Sequence, residues 1–250
     1  MPTLTPIAGL LVALSFGGPC GVFAPTASAE GSSLQAFVRF TADNTHTPLY
    51  RPRLHSTHRA RIEGSTRGQN GNLPKVIPLV PDHVGLTIAP QPVLYWYLSK
   101  PTTSPIMFVL VDARSVQVIT EVTLTAPFQP GVQLVRLKDY GISLAQDVQY
   151  RWFLTVVLDP DAPSRDIVAG GMIQRIVPEF DTSHLSPPSN LDAVRFYADV
   201  GLWYDAIAAI SDLISAAPND HLLRKQRASL LTQVGLPEVA DWDLRQARTP

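Results

Sequence analysis

The 250-residue chain carries 20 Lys and Arg against 21 Asp and Glu, a formal net charge of −1, and 45% of its residues are hydrophobic. That balance excludes the basic footprint of a nucleic-acid or anionic-membrane binder, and it supplies enough apolar surface to build one medium domain with an accessory. The 23 prolines predict short strands and many turns, and argue against a mainly helical protein.

The N-terminus reads as a signal peptide over residues 1–29. An apolar run from Ile7 to Phe16 is followed by Ala27-Ser28-Ala29, a small-x-small cleavage site that leaves Glu30 as the first mature residue. The run is too short to span a bilayer, and Gly17, Gly18 and Pro19 interrupt it. The single cysteine, Cys20, lies inside this segment behind Pro19, which does not suit lipidation. The mature chain is therefore expected to have no thiol, and with it no disulfide, no cysteine nucleophile and no thiolate metal site. The expected location is periplasmic or secreted, with no membrane span after cleavage.

Residues 30–73 read as a flexible basic leader. Apolar positions are few, glycines recur at 64, 68 and 71, and Arg51, Arg53, Arg59, Arg61 and Arg67 stand against Glu63 alone. Five arginines in such an arm can dock on an acidic partner or an anionic glycan through forked hydrogen bonds. The plainer alternative is a solvated, flexible leader kept soluble by its charge.

Residues 74–180 carry the strands. Val76–Val80, Gly85–Ala89, Val93–Leu98, Ile106–Val111, Val116–Thr125, Gly131–Leu137 and Ile167–Val177 are short apolar or alternating runs at roughly ten-residue spacing, with turns between them. The central strand is placed at Gln149–Pro160, where Tyr150, Trp152, Leu154, Val156 and Leu158 share one face. Leu144, a polar turn and then Tyr150 resemble the tyrosine corner of immunoglobulin- and fibronectin-type sandwiches. Gly170-Gly171 suggests a bulge or a close crossing.

From Leu191 the apolar period becomes helical. Val194, Tyr197 and Ala198 form one stripe, and Ala206, Ile207, Ile210, Leu213 and Ile214 another; further helices are expected at about His221–Val234 and Pro237–Gln246. Gly201-Leu202 recurs as Gly235-Leu236 and Ala206 as Ala240, an offset of about 34 residues, the tetratricopeptide period. An ordinary helical hairpin capping the sheets reads the same residues as well. The expected fold is mainly β with an α-helical C-terminus: an immunoglobulin/fibronectin-like β-sandwich followed by a tetratricopeptide-like helical hairpin over residues 190–247.

Several stretches together carry a family resemblance. They are Arg59-Ala60-Arg61, Gly64-Ser65-Thr66-Arg67-Gly68, LPKVIPLVPDHVGLTIAPQPVLYWYL from Leu73, Tyr150-Arg151-Trp152, the loop Asp159–Asp166 with GGMIQRI after it, and YADVGLWYDAIAAISDL from Tyr197. In this order the chain resembles the DUF928 family, exported bacterial proteins known mostly from cyanobacteria, over about Arg59 to Leu244. Glu63 stands where that family usually has a glycine-rich run. The resemblance implies an exported location and this architecture; it implies no activity.

Candidate chemistry is sparse. The chain has no G-x-S-x-G elbow, no H-E-x-x-H helix, and no phosphate-loop Lys-Ser/Thr pair in GSTRGQNGN. His55 and His58 have a metal-compatible spacing but no nearby set of ligands to complete a site. Asp159, Asp161 and Asp166 share a loop with Pro160 and Pro163 and lack calcium-loop spacing, which favours a turn with solvated carboxylates. Tyr95-Trp96-Tyr97 and Trp203-Tyr204 concentrate the aromatics; an exposed face here would stack on a sugar or peptide, while packing against helices or a neighbouring strand is the plainer use. Tyr150, Trp152, Gly201 and Ala206 are expected to be structural. The expectation is a non-enzyme without cofactor or metal, acting as an interaction or scaffold module in the cell envelope. Its partner would be another envelope or secreted protein. A carbohydrate-binding sandwich using the aromatics is the alternative.

Overall fold

The computed structural model describes residues 47–53, 60–64, 73–178 and 190–247. The expected signal peptide, His55, His58, Arg59 and Arg67 lie outside the described residues. Among the described residues, eight strands form two sheets, and four α-helices follow. β1 (Val76–Pro78), β3 (Val93–Leu98) and β6 (Gly131–Arg136) make a three-stranded antiparallel sheet in the order β1-β3-β6. β2 (Gly85–Thr87), β4 (Ile106–Asp112), β5 (Val118–Leu124), β7 (Gln149–Val156) and β8 (Ile167–Arg175) make a five-stranded sheet in the order β2-β8-β7-β4-β5. The β2–β8 pair is parallel and the rest of that sheet antiparallel. The protein is thus mainly β with a helical C-terminal region.

β7 is the middle strand of the larger sheet. Tyr150, Trp152, Leu154 and Val156 are buried while their neighbours reach toward solvent, so the period-two pattern points one face into the core. The strand is fixed at its entry, where the Tyr150 hydroxyl accepts from the Ala145 N–H at 3.1 Å. Arg175 donates to the Leu144 carbonyl from the neighbouring strand at 3.0 Å. The β7–β8 register runs unbroken through Gly170-Gly171, so the pair marks a close crossing and not a bulge. A Cβ on Gly170 would strike the Trp152 carbonyl, and one on Gly171 would lie 2.8 Å from a Val80 methyl.

α1 (Leu191–Asp199) and α2 (Trp203–Ala216) form one helical hairpin, and α3 (His221–Gln233) and α4 (Pro237–Gln246) a second. The four helices fall where the helical period predicts them. Asn190 caps α1 by accepting from the Ala193 N–H at 2.9 Å, and Asp220 caps α3 through Leu222 at 2.9 Å. Both hairpin turns have the same geometry, 34 residues apart. Gly201 and Gly235 take φ of 76° and 73°. The Leu202 N–H reaches the Tyr197 carbonyl at 2.8 Å, and the Leu236 N–H reaches Leu231 at 2.9 Å. The two glycine N–H groups bond to Ala198 and Thr232, completing two Schellman stops.

The helices cover the outer face of the small sheet. Tyr95 and Tyr97 point at them: the Tyr95 hydroxyl lies 3.4 Å from Asp212, and the Tyr97 ring lies 5.8 Å from Trp242. Trp96 points the other way, edge-on to Phe128 at 6.0 Å. From α2, the Trp203 indole donates to the Leu79 carbonyl at 2.8 Å. The Tyr204 hydroxyl accepts from Trp152 at 2.9 Å and donates to the Met172 carbonyl at 3.1 Å. One hydrophobic cluster runs from Leu154 and Trp152 through Tyr95 to Ala206 and Val239, so sheets and helices share a core.

Candidate interaction site

The aromatics expected as a possible ligand face are core residues. Tyr95, Trp96, Tyr97, Trp203 and Tyr204 are all buried, which leaves no exposed aromatic platform for a glycan among them. The reason is a third layer. Alternation along β3 assigns Tyr95 and Tyr97 to the face away from Trp96, and α2 and α4 close that face. Tyr150, Trp152 and Ala206 are buried, and Gly201 provides the first hairpin turn.

The basic arm is also different from a solvated leader wherever it is described. Its two segments are anchored, because each carries one side chain that the fold satisfies. Around Arg61, Ile62 exchanges two backbone bonds with Gly170 (2.9 and 2.8 Å), and Gly64 two with Val76 (2.9 and 3.2 Å). Residues 62–64 thereby run from β8 of the larger sheet, beyond the stretch that pairs with β2, to β1 at the edge of the smaller one. The Arg61 side chain is only 9% exposed and its Nε pairs with Glu63 at 3.0 Å. Its remaining donors reach the carbonyls of Val80 (3.0 Å), Val234 (2.8 Å) and Gly235 (3.3 Å). A guanidinium at the C-terminal end of α3 meets carbonyls that the helix leaves unpaired, and its positive charge suits that end of the dipole. Beside this latch opens a cleft of about 400 Å³ lined by Arg61, Ile62, Glu63 and Asp82.

The other segment, residues 47–53, lies extended in a groove formed by α1, α2, α3 and the β1–β2 loop. Pro48 and Tyr50 are buried and Leu49 and Arg51 exposed, a period of two. The Gln233 carboxamide serves the backbone at both ends of Leu49. Its oxygen accepts from the Tyr50 N–H at 2.8 Å and its nitrogen donates to the Pro48 carbonyl at 2.9 Å. The Arg51 N–H donates to the Ala198 carbonyl at 3.0 Å, and its side chain pairs with Asp199 at 3.0 Å on the surface. The Tyr50 ring meets Trp203 edge-on at 4.9 Å and stacks on His83 at 5.8 Å with planes 5° apart. His83 Nδ1 lies 3.0 Å from the Val84 carbonyl, so Nδ1 carries the proton, and Nε2 lies 3.4 Å from the Tyr50 hydroxyl as its acceptor. Burial pushes the Tyr50 hydroxyl above its ordinary pKa and keeps it a donor. Gly201 has two reasons to be glycine: its positive φ, and the approach of the Arg51 carbonyl to within 2.6 Å of where a Cβ would stand.

Sequence reasoning missed Tyr50, His83, Asp199 and Gln233. A signal was present in Pro48-x-Tyr50-x-Pro52, because prolines flanking an aromatic favour an extended backbone with one large side chain to bury. Arg53 follows in the same segment and a Cβ on Gly201 would also approach it, within 3.2 Å of its backbone nitrogen.

Several other charged groups have structural work. In the 159–166 loop, Asp159 accepts from the Asp161 N–H and Asp166 from the Leu158 N–H, holding a turn. Arg227 grips Asp243 by two bonds of 2.7 and 2.6 Å and donates to Ser211 at 3.1 Å, tying α3, α4 and α2 together in the interior. Asp205, in the first turn of α2, accepts from the Ile88 N–H at 3.1 Å at the end of β2. Burial pushes its carboxyl up to about 7, against the pull of the Ile88 and Ala89 N–H groups and the Thr87 hydroxyl. Among the described residues, no group of three or more His, Cys, Asp or Glu could hold a metal ion, and no helix is long and apolar enough to cross a membrane.

A family model described as Domain of Unknown Function (DUF928) matches residues 62–244. No curated protein is a significant match. A chain from a multi-domain immunophilin of Arabidopsis thaliana is similar at 6% identity with a TM-score of 0.18, over 71% of this chain and 95% of that one, and so low a score carries no structural argument.

Proposed function

Because the chain belongs to the DUF928 family, we propose that it is an exported, non-catalytic interaction or scaffold module of the bacterial cell envelope. The β region is read as an immunoglobulin-type sandwich. What supports this is the pairing β1-β3-β6 against β2-β8-β7-β4-β5, with Tyr150 as the corner residue at the start of the penultimate strand. The helices are read as two tetratricopeptide-type units, supported by the matching turns at Gly201 and Gly235. Such units work by presenting a concave or grooved surface to another polypeptide.

The single observation that carries the interaction reading is the groove that holds residues 47–53 extended, with backbone bonds from Gln233 and Ala198 and one aromatic side chain enclosed. Main-chain bonds to an extended segment, with pockets for alternate side chains, are also the means by which peptide-binding domains hold their ligands. Export rests on the Ile7–Phe16 run and the Ala27-Ser28-Ala29 site.

The test is fractionation of the source organism, N-terminal sequencing of the recovered protein, and quantitative cross-linking and capture from the envelope fraction with the intact mature chain as bait. The expected result is a mature N-terminus at Glu30 and a partner that captures this chain reciprocally. A protein recovered from the cytosol with residues 1–29 attached would refute export. Absence of any reciprocal partner would refute the scaffold role.

A further inference from the structure

Residues 47–53 are held as a peptide ligand would be held. Four features meet there: a carboxamide that reads one residue's flanking backbone groups, a helix-end carbonyl that takes the next N–H, an aromatic pocket, and a surface ion pair. The pocket is lined by His83 and Trp203, and Trp203 is itself locked by its bond to Leu79, so the cavity that receives Tyr50 is shaped by the fold and not by the arm. Every groove residue named, His83, Ala198, Asp199, Gly201, Trp203 and Gln233, lies within the region of the family match, residues 62–244. The segment that fills the groove lies outside it.

We propose that this groove is a recognition site for an extended Pro-x-Tyr-Arg segment of a partner protein, and that Pro48–Arg51 occupies it in cis. The assignment rests on the interaction-module reading and adds to it the chemistry of the partner. Specificity comes from the enclosed Tyr ring and its hydroxyl on His83, with Asp199 favouring a cation at the next position. The backbone bonds are indifferent to side chain and supply affinity. Tethering gives the cis segment a large effective concentration, so a partner binds in proportion to the fraction of molecules whose arm has left.

The experiment uses the full chain and a fluorescein-labelled peptide, TPLYRPR, followed by fluorescence anisotropy. The wild type is expected to bind weakly because its arm competes. Tyr50→Ala, which empties the pocket, is expected to bind about tenfold or more tighter than wild type, as release of a tethered competitor requires. Adding Gln233→Ala to Tyr50→Ala removes that gain, and a peptide with Tyr replaced by Ala fails to bind either protein. Should Tyr50→Ala not fold, Tyr50→Phe/Arg51→Ala weakens the cis segment through its hydroxyl and its surface ion pair alone, and is expected to bind more tightly than wild type. No saturable binding by a folded variant of either kind overturns the proposal, as does binding that Gln233→Ala leaves unchanged. An envelope partner retained equally by wild type and Gln233→Ala would overturn this site while leaving the interaction reading intact.

Discussion

Arg61→Ala tests whether the basic arm is part of the fold. The substitution removes two short charged donations, to Val80 and Val234, and a longer one to Gly235. A hydrogen bond from a charged donor is worth about 1.5–3 kcal/mol net. Water can reach the released carbonyls through the adjoining cleft, which places each short bond at the lower end of that range. The pair with Glu63, whose side chain is half exposed, adds under about 1 kcal/mol. The expected loss is about 3 kcal/mol, or a fall in Tm of roughly 6–12 °C for a chain of this size. Arg61→Lys keeps the charge but not the fork that reaches both Val80 and Val234, and is expected to recover no more than about half of it. Circular-dichroism melts with urea titration provide the measurement. An Arg61→Ala protein melting within about 2 °C of the parent would refute the latch.

Two further perturbations address the interior. Asp243→Asn leaves the Arg227 guanidinium, only 4% exposed, without its counter-charge, and is expected to cost about 3–5 kcal/mol by urea unfolding. Arg227→Met/Asp243→Leu removes both charges and should restore most of that loss; a double variant as unstable as the single one contradicts this account. Asp205 sets a pH dependence. Its folded pKa of about 7 lies above its unfolded value, so the folded state holds more protons between about pH 4 and 7. Its contribution to stability is therefore greatest below that window and is lost as pH rises through it, by at most about 1.4 kcal/mol per pH unit. Asp205→Asn is expected to flatten the decline in Tm from pH 5 to 8, and an identical slope in both proteins would remove Asp205 as its source.

The local elements were legible because their signals are local. Alternation from Tyr150 to Val156, the apolar runs Ile106–Val111 and Val116–Thr125, and the turns at Gly201 and Gly235 each depend on neighbours within a few residues. The corner bond of Tyr150 to Ala145 spans only five residues and was also readable. What escaped depends on distant partners. The unbroken apolar run Val93–Leu98 makes packing the plainer use of its aromatics, but it does not say that α2 and α4, more than a hundred residues away in the chain, supply the cover. Nor does Gly85–Thr87 announce a parallel pairing with Ile173–Arg175. Charge density made the arm look solvated, yet Arg61 is buried among carbonyls and Tyr50 fills an aromatic pocket; composition reports what a segment carries and not what waits for it elsewhere.

The Gln233–Tyr50 bond joins residues 183 positions apart, and the Arg61 latch spans 173. Long-range closures of this kind are slow, because chain entropy must be lost before any contact compensates for it. The order of synthesis sharpens the point. The arm is made long before its sites on α3 and at the α3–α4 turn, 173 to 183 positions further along. A nascent chain therefore has no place to settle its arm until those helices have emerged, so this closure waits on the helices rather than following the arm's own synthesis.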